Sequence, residues 1–248
     1  MTDRIVLNQR ADIEKEMIIE GPPLEALRFQ GGRVGSLVTL TDAGGRDFRG
    51  RVRSLSRESA SVLIFDGFPA STESPVEIVL LQALPERERM ELIIQKATEL
   101  GVSAIIPFKA EKSVSLEERE AKQKKAHRWE AIAVRAVQQS RRARIPRVEA
   151  YRMFKEALEA CKDGLKIMLW EKEGESLRDV LRICDKTSRK RGRVYAMVGP
   201  EGGFTEEEVR LAREQAFIPV KLGRRILRTE TAAITVVGIL QYELGDLG

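Results

Sequence analysis

Three observations on the 248-residue chain predict an α/β protein preceded by a small all-β region. Residues 34–66 alternate apolar and polar side chains in short runs, the hydrophobic period changes after about residue 75, and strand-like and helix-like segments then alternate to the end. In the first region, strands are expected over 34–41, 46–55 and 60–66. Asp42-Ala43-Gly44-Gly45 supplies a hairpin-type turn between the first two. Short strands with tight turns suggest a small antiparallel barrel. The Ser, Thr, Glu and Pro of 69–75 read as a linker, so the domains are expected at 1–72 and 73–248.

Beyond the linker, 76–81 is strand-like. Residues 87–100 form a helix with Met90, Ile93, Ile94, Ala97 and Leu100 on one side, closed by Gly101. A buried strand follows at 104–107, then a long helix over 116–139. The remainder alternates: strand 166–170, helix 177–183, strand 194–198, helix 206–215, strand 219–222 and helix 231–244. This is the pattern of a parallel sheet covered by helices on both faces.

Composition narrows the chemistry. Charged residues make up 33% and hydrophobic ones 42%, a globular balance. The best apolar run, 232–240, falls far short of the roughly 20 residues that span a bilayer, so no membrane association is expected. The start of the chain lacks the features of a signal peptide, and a cytoplasmic location is expected. His127 is the single histidine and lies in a lysine-rich helical surface, so histidine-based zinc sites are excluded within one subunit. No metal is expected. Cys161 and Cys184 fit no ligand spacing and read as reduced core thiols.

The net charge of +5 is unevenly distributed. Residues 119–147 hold ten Lys or Arg against two Glu, a net of +8, and 185–193 hold five against one, a net of +4. On a strand, Arg49, Arg51 and Arg53 would share one face. Three basic patches point to a polyanion lying across a surface. The sharpest is Arg141-Arg142-Ala143-Arg144, because guanidinium forks pair with phosphate bidentately.

Ligands of parallel sheets bind beyond the carboxyl ends of strands. Three segments occupy such places. The first is Leu169-Trp170-Glu171. The second is Val198-Gly199-Pro200-Glu201-Gly202-Gly203-Phe204, which leads into a capping box from Thr205 to Glu208. It has neither the GK[ST] of a Walker A loop nor the GxGxxG dinucleotide fingerprint, so nucleoside triphosphates are not expected. The third is Leu222-Gly223-Arg224-Arg225-Ile226-Leu227-Arg228-Thr229-Glu230-Thr231-Ala232-Ala233, where basic and apolar residues share a loop before a helix with an acidic first turn. Apolar residues with no core to enter, beside a few polar groups, suit the wall of a pocket.

The second and third segments together resemble the signature of the ribosomal RNA small subunit methyltransferase E family, the 16S rRNA uracil-N3 methyltransferases of the SPOUT superfamily. The likeness extends to Arg89-Met90-Glu91, Ile94 through Gly101, Glu111-Lys112-Ser113, Gln138-Gln139-Ser140 and Arg144-Ile145-Pro146. The resemblance implies a PUA-like N-terminal barrel that grips RNA and a C-terminal domain with a deep trefoil knot. It also implies S-adenosylmethionine as cofactor, 16S rRNA within the small ribosomal subunit as partner, and a homodimer. Carried over, the cofactor site would be Leu169, Gly199, Glu201, Gly202, Leu222, Gly223, Ile226, Leu227, Arg228, Thr229, Glu230, Thr231 and Ala232. RNA contacts are expected from Arg28, Arg33, Arg49, Arg51, Lys96, Arg141, Arg142 and Arg144. The family's usual His-rich stretch in the barrel is replaced here by Leu24-Glu25-Ala26-Leu27-Arg28-Phe29.

For methylation at N3, Arg228 is the expected stabiliser of charge developing on the flanking carbonyl oxygens, and Glu230 is a candidate proton acceptor. Two other readings compete: a SPOUT enzyme acting on another RNA position, and a non-catalytic RNA-binding assembly protein.

Overall fold

A computed structural model of the protein describes residues 5–68, 73–113, 126–187 and 192–248. It resolves into two compact units: residues 1–73 with 141–144, and residues 74–140 with 145–248. The N-terminal unit therefore extends one residue past the expected boundary at 72 and also takes in a four-residue segment from much later in the chain.

In the first unit, β1 (Ile5–Val6), β2 (Glu16–Ile19), α1 (Pro22–Phe29), β3 (Leu37–Thr41), β4 (Asp47–Leu55) and β5 (Ala60–Phe68) build one five-stranded sheet in the order β1-β3-β4-β5-β2. β1 runs parallel to β3 and the other pairings are antiparallel. Among the described residues no pairing joins β1 to β2. The predicted turn is held by Asp42, whose Oδ1 accepts the backbone N–H groups of Gly44 (2.8 Å) and Arg46 (2.9 Å). Burial pushes the Asp42 carboxyl up, but the Arg46 and Gly44 amides and the Arg46 side chain outweigh it and hold the group below its ordinary value.

The three arginines read as sharing one strand face differ in exposure. Arg51 and Arg53 are exposed, whereas Arg49 is only 3% exposed. β4 keeps a regular register with β3 here, Thr39 opposite Arg49 and Leu37 opposite Arg51, so both arginines stand on the face away from the core residues Phe48 and Val52. The segment 141–144 then covers Arg49: Arg49 donates to the carbonyl of Arg142, lies over the Phe68 ring at 5.4 Å, and Thr39 donates to the carbonyl of Ala143. Burial lowers the Arg49 pKa, with Asp66 and Glu73 opposing.

The second unit carries an eight-stranded sheet. Its strands are β6 (Glu77–Ala83), β7 (Ala104–Lys109), β8 (Arg147–Val148), β9 (Arg152–Met153), β10 (Leu165–Leu169), β11 (Glu175–Ser176), β12 (Arg193–Val198) and β13 (Ile218–Lys221). The order is β11-β13-β10-β12-β6-β7-β8, β9 also pairs with β7, and every pairing is parallel. The helices are α2 (Arg87–Glu99), α3 (Ala126–Ser140), α4 (Phe154–Glu159), α5 (Leu177–Thr187), α6 (Glu206–Glu214) and α7 (Thr229–Leu244).

Alternation along the strands feeds two cores. Ile78 and Leu80 of β6, with Val194, Ala196 and Val198 of β12, pack on α2, α3, α5 and α7. Val79, Leu81 and Ala83, with Tyr195 and Met197, face α4 and α6. Each fully buried aliphatic side chain contributes roughly 1.5–3 kcal/mol, so a helix layer on both faces is what makes an apolar parallel strand stable in water. As expected, Gly101 closes α2. It adopts φ 90°, its N–H donates to Thr98, and the N–H of Val102 donates to Ala97, a Schellman motif. Ala216 plays the same part after α6 with φ 63°, and its own N–H and that of Phe217 donate to Arg213 and Ala212.

Among the described residues no helix is long and apolar enough to cross a membrane, and no group of three or more His, Cys, Asp or Glu could hold a metal ion. Cys161 is a buried free thiol whose pKa is pushed up to about 12, chiefly by burial. The lysine-rich stretch 119–125 and residues 188–191 lie outside the described residues, as do the side chains of His127, Arg128, Cys184 and Lys186.

Candidate active site

β13, β10 and β12 are adjacent and parallel, so their carboxyl ends lie along one edge of the sheet. The segments leaving them are the three read from the sequence, and they line one cavity of about 270 Å3. Leu169, Trp170 and Glu171 come from the first. Val198, Gly199, Pro200, Glu201, Gly203 and Phe204 come from the second, and 222–223, 225–229 and Ala232 from the third, with Val220 and Lys221 of β13 beside them. Arg89 of α2 joins them. Gly202, Glu230 and Thr231 do not stand on this wall.

Each loop is shaped by identifiable contacts. Phe204, buried at 2%, anchors the glycine loop in an aromatic cluster, with its ring centroid 6.3 Å from both Phe108 and Phe154. Gly203 takes φ 67° and Gly223 φ 133°, backbone that a residue with a Cβ rarely adopts. The capping box forms as read: Thr205 Oγ1 accepts the N–H of Glu208 (3.3 Å) and Glu208 Oε2 accepts the N–H of Thr205 (2.9 Å). Glu208 is itself buried, and its other oxygen accepts the N–H of Glu111 (2.8 Å). Lys112 donates to the carbonyl of Gly202 (3.1 Å), so the turn after β7 is fastened both to the glycine loop and to the first turn of α6.

Glu201 turns its carboxylate to α2: Oε1 accepts from Arg89 (3.0 Å) and from the N–H of Glu86, the N-cap (3.1 Å). It ties the loop to a helix start. Arg228 is the N-cap of α7 and exposed, and Thr229 is its first helical residue, 5% exposed, with its hydroxyl donating to the carbonyl of Gly199 (2.6 Å). That hydroxyl also accepts from the amide of Gln82 (3.0 Å), a fully buried residue that sequence reading missed. Ile226 is 87% exposed and Leu227 half-buried, both on the cavity wall. The wall thus combines flat apolar side chains, a helix N-terminus whose first-turn N–H groups have no intrahelical acceptor, the carboxylate of Glu171 and the guanidinium groups of Arg225 and Arg228.

The residues read as RNA contacts separate into two groups. Arg33, Arg51 and Arg141 are exposed. Arg28 is exposed but donates to the carbonyl of Ser56 (2.6 Å) and to that of Arg57, and Lys96 is paired with Glu99 (2.9 Å). Arg49 and Arg142 differ from that reading: both are buried. Arg142 meets Glu73 at 2.6 Å, and the N–H of Arg144 donates to the other Glu73 oxygen (3.0 Å). The Arg141–Arg144 cluster that looked like a phosphate grip is in large part an internal ion pair.

Residues 72–241 match the family model described as an RNA methyltransferase domain. Ribosomal RNA small subunit methyltransferase E of Bacillus subtilis is 34% identical over 212 residues, spanning 84% of this chain and 82% of the relative. The crystal structure of a ribosomal RNA small subunit methyltransferase E from Neisseria gonorrhoeae bound to S-adenosyl methionine is 31% identical. It superposes with a TM-score of 0.68 over 99% of both chains. A putative methyltransferase from Legionella pneumophila in complex with the bound cofactor SAM is 30% identical, with a TM-score of 0.67 over the full length of both chains.

Proposed function

Since the chain belongs to the ribosomal RNA small subunit methyltransferase E family and is an RNA methyltransferase, we propose that it methylates N3 of a specific uridine in the 16S rRNA of the small ribosomal subunit, with S-adenosylmethionine as donor. The observation that carries this reading is the convergence of three separate loops on one cavity whose chemistry suits that donor. Leu169, Leu222, Ile226 and Leu227 offer apolar surface to an adenine ring, and the first-turn N–H groups of α7 offer donors. Glu171 offers a negative charge to a cationic ligand. Bound there, S-adenosylmethionine supplies a methyl carbon activated by a positively charged sulfur.

The chain's own residues then have two tasks. N3 must lose its proton, and negative charge spreads to the neighbouring carbonyl oxygens. Arg228, exposed on the cavity wall and without an ion-pair partner among the described residues, is placed to stabilise that charge. Of the two acids near the helix start and the first loop, Glu171 stands on the wall and Glu230 does not, so we assign proton acceptance to Glu171. Glu171→Gln is expected to lower kcat by about 10²–10⁴-fold with donor affinity retained. Loss of donor affinity instead, with kcat intact at saturation, would make Glu171 a cofactor ligand only.

RNA is read as lying against exposed Arg33 and Arg51 of the first unit, whose Phe29 is 78% exposed and can stack on a base. The PUA-like character of that unit, the trefoil knot, the homodimer and a cytoplasmic site of action belong to the same proposal. Support for the homodimer comes from α7, which is apolar on most sides and leaves Tyr242 64% exposed. The test is nucleoside mass mapping of 16S rRNA from cells with and without the protein, together with transfer to purified subunits. The expected product is 3-methyluridine at one site; a methyl group on another base or on ribose would replace this assignment, and no transfer at all would favour an assembly protein.

A further inference from the structure

We infer that Gln82, a residue off the cavity wall, is a positioning residue for the donor site, fixing the direction of a hydrogen-bond chain that ties the glycine loop to the start of α7. The inference rests on the reading that the cavity holds S-adenosylmethionine.

Gln82 lies at the carboxyl end of β6, opposite Val198 of β12, and is fully buried. Its Nε2 stands 2.9 Å from the carbonyl oxygen of Ala83 and 3.0 Å from Thr229 Oγ1. A carbonyl can only accept, so the amide must present its NH2 group to Ala83. The same NH2 then donates to Thr229. Having accepted from Gln82, the Thr229 hydroxyl directs its own proton to the carbonyl of Gly199, 2.6 Å away. Two carbonyls at the ends of the chain thus leave one arrangement of protons between them.

The arrangement carries a cost. Gln82 Oε1 is buried without a hydrogen-bond partner among the described residues. A leucine or methionine between Leu81 and Ala83 would leave no such orphan, so stability alone does not account for a glutamine there. Its effect falls on the donor site. Gly199 belongs to the second loop and Thr229 to the third, both on the cavity wall. Pro200 has no N–H, so the peptide between Gly199 and Pro200 is held through the Gly199 carbonyl alone. Releasing that carbonyl frees the loop to rotate and widens the gap in which the donor lies.

The test is S-adenosylmethionine binding by calorimetry, with thermal melting alongside, for Gln82→Met, Thr229→Val, the double variant, Gln82→Glu and Thr229→Ser. Gln82→Met and Thr229→Val conserve volume and are each expected to raise Kd by about tenfold or more. The double variant should bind no worse than the weaker single, because both break one chain. Gln82→Glu should also weaken binding, since a carboxylate draws the Thr229 proton away from Gly199, while Thr229→Ser should stay within about threefold. Unchanged Kd with a lowered Tm, or additive losses in the double variant, would reduce Gln82 to a packing residue. Failure of the wild-type protein to bind would instead overturn the donor-site reading.

Discussion

Arg142 and Arg228 both belong to arginine-rich turns, Arg141-Arg142-Ala143-Arg144 and Arg224-Arg225-Ile226-Leu227-Arg228. One is packed out of water against Glu73, with both side chains near 5% exposed. The other is exposed on a cavity wall. The difference lies in what the fold supplies as a partner. Glu73 and the β3–β4 surface meet the first turn with a carboxylate and hydrogen-bonding groups, and a buried cation so matched becomes part of the framework. The second turn follows a strand end, where the chain leaves the sheet and the guanidinium groups stay available to a ligand. Local charge density therefore does not locate a binding surface; the count of charges left without internal partners does.

Four experiments bear on that contrast, in order of expected effect. Glu73→Ala leaves Arg142 buried without its carboxylate and is expected to cost about 3–5 kcal/mol in urea denaturation, whereas Glu73→Leu combined with Arg142→Met should cost far less. A loss below about 1 kcal/mol for the single variant would place Arg142 among ordinary surface charges. Arg228→Ala should reverse the pattern, with Tm unchanged and kcat lowered about 10²–10³-fold. Melting that drops with activity would mean that Arg228 too is structural.

Asp42 provides a pH-dependent version of the framework side. Its carboxyl is held below the ordinary value in the folded protein, so its contribution is complete above the unfolded pKa of about 3.9 and is lost as pH falls through the lower folded value. Asp42→Ala should remove about 1.5–3 kcal/mol near neutral pH and flatten the acid limb of the stability profile. The smallest effect concerns the second unit: Ala216→Gly relieves a left-handed residue at the end of α6 and should add about 1 kcal/mol, or roughly 2–4 °C in Tm, without touching activity.

Features set by local chemistry were legible in the sequence. Period-two strands, the glycine that closes α2, the Thr205–Glu208 box and the three loops after parallel strands all follow from residues a few positions apart. The edge elements β1, β2, β8, β9 and β11 were missed because two to four residues carry too little periodicity. Arg49 was misread because its cover arrives from Arg142, 93 positions away. Gln82 was invisible for a similar reason: in the text it is a polar letter in an apolar strand, and its partner Thr229 lies 147 positions on. Distant pairing is where pattern reading ends, and here it decides both which arginines are free and what braces the cavity.

The return of 141–144 to the first unit sets a timetable for synthesis on the ribosome. Residues 1–73 emerge first, but Glu73 lacks Arg142 and Arg49 lacks the cover of 141–144 until the stretch up to Arg144 has followed, on the order of several seconds later at about 5–20 residues per second. A nascent chain halted before residue 141 should therefore show its amino-terminal part protease-sensitive and only locally ordered, and extension until 141–144 has cleared the exit tunnel should lock it.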